Sequence, residues 1–296
     1  MDRIDQIYSQ NRQDALSILY KNLAKAVLYA WGKDGEVVLR KAIHYYGETV
    51  GKAEKDMQQQ AGILTNLENF FKSPMARVID PRFRFEWQFL GEQEAVFDVT
   101  VCPIYNYLAK TGAEKLMLPF CEEYHHGCIV GYTDDNGQCN FAENFHFSGE
   151  GTCRFGCYFR PGNVPAADRE KSFSGYTFEY CDGLDKYIPC DDSAKVYSNL
   201  GLMMIKAFIE KAVERYGDHH TLGVIATGIR MAAVETARYF EYRSDATNLG
   251  PNGMAFADIN SLWGTECTPF DSDDEELKKL VSINYCTVLK NEYKGK

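Results

Sequence analysis

Apolar residues recur at three- and four-residue spacing through the first part of the chain. Leu16, Leu19, Leu23, Val27 and Ala30 fall on one face over residues 12–31, which predicts a helix. Gly32 follows as a helix-ending glycine. The period restarts over 35–55 through Val38, Leu39, Ala42, Ile43, Tyr46 and Val50. Gly47 and Gly51 share one face of this second helix. Each costs up to ~1 kcal/mol against alanine in a helix interior. A close helix–helix contact would offset that cost; a ligand approaching the backbone is the alternative. Residues 57–72 continue in the helical period until Pro74 and Pro81.

The period then drops to two. Phe83, Phe85, Trp87 and Phe89 alternate with Arg84, Glu86 and Gln88. After Gly91-Glu92-Gln93, the residues Phe97, Val99 and Val101 alternate with Asp98 and Thr100. Together they predict a hairpin. Cys102 closes it, and Pro103 opens a helix that runs to Gly112. Residues 113–121 form another short helical piece. Strands are expected over 127–132 and 138–147, around the turn signal Asn136-Gly137. A further strand over 152–160 carries Cys153, Phe155, Cys157 and Phe159 on one face. Residues 173–189 are irregular.

The helical period returns over 200–216 and 221–240, with Gly217 between them. Tyr216-Gly217 echoes Trp31-Gly32, and the segment ending at Cys286 echoes the strand ending at Cys102, at offsets of 185 and 184. Two echoes at nearly one offset point to an internal repeat. The expected fold is α+β: an N-terminal helical pair packed on an antiparallel sheet, then a partial second copy of the helical pair. The expected division is 1–165, a connection or lid over 166–195, and 196–296. The acidic run 271–276 reads as a solvated helix start with Ser272 as its cap.

Composition narrows the function classes. A formal net charge of −10 argues against nucleic acid or an anionic membrane as partner, since phosphates need a basic face. No apolar run approaches the ~18 residues of a spanning helix, and residues 1–11 are polar, unlike a signal peptide. Ten cysteines without CxxC pairs fit a reducing compartment, so a cytoplasmic location is expected. The expected partners are a small-molecule substrate and a second copy of the chain in a homodimer.

The cysteines carry the candidate chemistry. Cys102 stands at a helix start, where the dipole favours a thiolate, and Cys121 lies near His125. A cysteine beside a histidine can attack a carbon bearing two heteroatoms, with His125 or His146 as general base. Alternatively, Cys121, Glu143, His146 and Cys153 offer thiolate, imidazole and carboxylate to a soft metal such as zinc. Glu143 and His146 are three apart, so a bulge or turn must reorient one of them. Thiols packed in a small core are the third reading. Trp87, Tyr105 and Tyr124 are candidates for an aromatic wall against a ring. His44, His219 and His220 read as surface or capping residues.

One set of residues carries a family resemblance: Trp31-Gly32, Gly47, Gly51, Cys102-Pro103, Cys121, Gly149, Cys153 and Phe155. In this order they resemble the L-2-amino-thiazoline-4-carboxylic acid hydrolase family, over roughly 20–160. More distantly they resemble four-vinyl-reductase-type small-molecule-binding domains. The first resemblance implies hydrolytic opening of a cyclic isothiourea on the route to cysteine. The second implies a zinc held by Cys, Glu and Cys near a ligand pocket; here His146 stands where a cysteine would be expected.

Overall fold

The computed structural model describes residues 3–73, 80–144, 152–174, 193–247 and 274–292. The fold is α+β, mostly helical, with one antiparallel four-stranded sheet. It divides into two compact units built from interleaved segments.

Unit 1 comprises Met1–Ala42, Tyr107–Leu116 and Asp192–Lys296. Its elements are the first part of α1 (Arg3–Gln60), the second half of α3 (Pro103–Lys110), α5 (Ser193–Tyr216), α6 (Asp218–Thr247), α7 (Glu275–Val281) and α8 (Thr287–Glu292). Helix α1 is two helices joined at a kink, where Gly32 takes φ 57° and ψ −127°. Gly217 does the same between α5 and α6 with φ 75°. Only glycine enters this left-handed region without a Cβ penalty. The residues before the two hinges, Trp31 and Tyr216, stack with ring centroids 4.3 Å apart. The strand half of the expected repeat is corrected: Ser282–Cys286 is a π-helical turn between α7 and α8. The cap of α7 is Asp274, which accepts from the Leu277 N–H at 3.0 Å; Ser272 lies outside the described residues.

Unit 2 comprises Ile43–Asn106 and Met117–Asp191. It holds the end of α1, α2 (Leu67–Lys72), β1 (Arg84–Leu90), β2 (Glu94–Val101), α4 (Met117–Tyr132), β3 (Gly137–Asn144) and β4 (Cys153–Phe159). The strand order is β1-β2-β4-β3, all antiparallel. Helices α2 and α4 cover one face. The register sets Trp87, Phe97, Phe155 and Phe141 side by side across the four strands. Their neighbouring centroids are 4.9–5.3 Å apart, so the inner face is an aromatic layer. On the other face, Arg154 on β4 grips Asp98 on β2 through two bonds of 2.7 Å. That guanidinium holds the Asp98 carboxyl below its ordinary pKa.

Three expectations change here. Residues 127–132 are not a strand but the last turns of α4, and residues 134–137 link helix to strand through the left-handed Asp134 and Asp135. The piece expected over 113–121 is a 3₁₀ turn, Glu114–Leu116, running into α4. The helix expected over 57–72 breaks after Gln60, where Gly62 takes φ 70°, and resumes as α2 under an Asn66 cap.

Candidate functional site

The site is built on α4 of unit 2, held close to α1 by four glycines. A Cβ added at Gly47 would lie 2.4 Å from the Tyr124 carbonyl, and at Gly51 2.0 Å from that of Cys128. From the other side, a Cβ at Gly127 would meet the His44 carbonyl at 2.2 Å, and at Gly131 that of Glu48 at 2.1 Å. Real Cβ atoms do not approach backbone this closely, so glycine is required at all four positions. The helix-contact reading of Gly47 and Gly51 holds. Gly127 and Gly131 were masked by the strand expectation, although their four-residue spacing repeats the signal.

This contact turns one face of α4 to the sheet. Cys121, His125, Cys128 and Tyr132 follow one another at helical spacing along it. His125 lays its ring on Phe155 at 4.4 Å and edge-on to Tyr124 at 5.5 Å. Burial lowers its pKa to about 4, so the ring is neutral at pH 7. Among the described residues, its ring nitrogens have no hydrogen-bond partner. His126 points its Nδ1 at the Cys139 carbonyl, 3.1 Å away. His44 lies half-buried between Glu48 at 3.3 Å and Glu123 at 3.4 Å.

All seven cysteines among the described residues are buried. Cys121 comes within electrostatic reach of Cys102 and Cys153. The Cys102 Sγ accepts from the Tyr105 N–H at 3.4 Å, at the start of α3. The lowered pKa expected there is corrected. Burial outweighs the helix start and pushes the thiol up to about 12, against the opposing backbone N–H groups of Tyr105 and Ile104. Burial also pushes Cys121, Cys128 and Cys157 up.

The proposed aromatic wall is spread over three elements. Trp87 packs on Phe71 and Phe97, within the sheet layer. Tyr124 stacks between Tyr46 and Phe120 at 5.0 Å from each. Burial raises its hydroxyl pKa well above the ordinary tyrosine value. Tyr105 lies in the first turn of α3.

The metal set fares differently. Cys121 and Cys153 are buried and near one another, and His146 lies outside the described residues. A bulge after Phe141 puts Glu143 in register with Arg154, while Cys153 pairs with Asn144. The bulge thus sets Glu143 out of step with Cys153. Among the described residues, no group of three or more His, Cys, Asp or Glu side chains is arranged to hold a metal ion. Two of the four proposed ligands, His146 and the Glu143 side chain, lie outside what is described.

The family model described as L-2-amino-thiazoline-4-carboxylic acid hydrolase matches residues 8–157. No curated protein and no solved structure matches the chain. Among the described residues, no helix is long and apolar enough to cross a membrane.

Proposed function

Because the chain belongs to the L-2-amino-thiazoline-4-carboxylic acid hydrolase family, we propose that it opens a small cyclic C–N/C–S compound of the 2-amino-thiazoline-4-carboxylate type. Cys121 is the proposed nucleophile and His125 the general base, with Cys102 the second candidate thiol. The observation that carries this reading is the neutral His125 ring, without a hydrogen-bond partner among the described residues, one helical turn from Cys121.

In this reading the imidazole takes the Cys121 proton as the sulfur adds to the ring carbon between nitrogen and sulfur. The ring bond to one heteroatom breaks, and that heteroatom leaves with the proton from the imidazolium. Water then releases the acyl-type group from Cys121. Both partners rest in neutral forms, so proton transfer belongs to the substrate-bound step and not to the resting protein. The same proposal takes the working form as a cytoplasmic homodimer.

The test is turnover of L-2-amino-thiazoline-4-carboxylate by the purified chain, with the ring-opened product read by mass spectrometry. Cys121→Ser is expected to lose turnover while its circular dichroism stays native. Undiminished turnover in both Cys121→Ser and Cys102→Ser would remove the thiol mechanism. A second reading, a non-catalytic small-molecule-binding domain, is favoured by the raised thiol pKa values. Saturable binding of the same compound without turnover would support it.

A further inference from the structure

Two of the buried thiols that this mechanism leaves unused face each other across the sheet. Cys139 on β3 is the direct register partner of Cys157 on β4. The pairs on either side, Gln138 with Tyr158 and Asn140 with Gly156, keep the same register, and the bulge begins only after Phe141. Directly opposed antiparallel residues have Cα atoms about 4.5–5.5 Å apart. A disulfide spans about 4.4–6.8 Å between Cα atoms. The ladder therefore holds the two Cα atoms within the range that a disulfide spans. The two thiols are also close enough to act on each other electrostatically. Cys128 on α4 is the third sulfur near the pair.

We infer that Cys139 and Cys157 are a redox-modified dithiol that closes to a cross-strand disulfide under a peroxide. Strand β3 is an edge of the sheet, and Cys139 is 6% exposed against 1% for Cys157, so oxidation starts at Cys139. Its thiol reduces the peroxide and becomes a sulfenic acid, releasing one water. The Cys157 sulfur then attacks the sulfenyl sulfur, and the hydroxyl leaves with the Cys157 proton as a second water. In total, two thiols and one hydrogen peroxide give one disulfide and two waters. The bond ties β3 to β4 and closes the 17 residues between the two cysteines into a loop. A closed loop restricts the unfolded chain and so favours the folded one.

The inference does not depend on the hydrolase reading and is read by mass rather than by turnover. The reduced full chain is treated with hydrogen peroxide, blocked with iodoacetamide in denaturant and digested without reductant. The expected product is one peptide pair joined through Cys139 and Cys157, two hydrogens lighter and separated by dithiothreitol. The oxidised chain should melt several degrees above the reduced one, and Cys157→Ala should show no such rise. Recovery of both residues as alkylated thiols overturns the inference, as does a Cys139–Cys128 link. If Cys157→Ala does not fold, the peptide map of the unsubstituted chain decides alone.

Discussion

At the scale of single residues, burial decides the chemistry. Cys102 stands at a helix start, yet burial pushes its thiol up to about 12. Burial acts on His125 in the opposite direction, since there the charged form is the protonated one. This has a stability consequence with a definite sign. The unfolded chain takes up a proton at this histidine below its ordinary pKa of ~6.5. The folded chain does so only near about 4. The contribution is fully present above pH ~6.5 and is lost as pH falls towards 4. The size is on the order of 3 kcal/mol at most. Urea unfolding at neutral and at mildly acidic pH measures it. His125→Gln should lose less stability over that interval than the unsubstituted chain; equal losses would show that the ring takes up its proton without cost.

Among elements, the same substitution should have two very different costs. Gly32 and Gly217 have positive φ and nothing within 4 Å of an added Cβ. Alanine there meets only backbone strain, ~1 kcal/mol. Gly51 has ordinary helical backbone, but its Cβ would overlap the Cys128 carbonyl at 2.0 Å. Alanine there forces α1 and α4 apart, at about 3 kcal/mol or more. Chemical denaturation of Gly32→Ala and Gly51→Ala compares them directly; a milder effect at Gly51 would contradict the close approach.

Elements with a single clean period were legible in the sequence. The β1–β2 hairpin showed itself because alternate residues face helices on one side and water on the other. Gly47 and Gly51 announced a close helix contact. The last turns of α4 did not, since Ile129, Val130 and Tyr132 favour strands locally. The approach of Gly127 and Gly131 to α1 overrides that preference, a tertiary cause that no local period carries. Val281–Cys286 resembled β2 in residue types but packs in a helical segment against α6. In the candidate site, Cys121 and His125 were legible as neighbours. Their shared face was not, because it exists only once α4 is a single continuous helix.

For the whole molecule, interleaving of segments is the governing fact. The family match stops at residue 157, but the first helix finds its partners far beyond it. Lys21, 4% exposed, is paired with Glu235, which also receives Tyr107 and, at 2.8 Å, Asn22. Asp14, 1% exposed, accepts from the Tyr239 hydroxyl at 2.5 Å. A buried ion is tolerated only while it is paired, and removing one partner costs about 3–5 kcal/mol. Glu235 is itself part-exposed, which places Lys21 near the low end of that range. A fragment of residues 1–165 would lose Glu235 and Tyr239 together with the apolar faces of α5 and α6. The deficit from the ion pair alone is a large part of the ~5–15 kcal/mol that holds a domain folded. Such a fragment is expected to unfold without a cooperative transition in urea, followed by circular dichroism. Co-expression with residues 166–296 should restore cooperativity. A sharp transition in the isolated fragment would mean that the segment matching the family folds without the partners of Lys21 and Asp14.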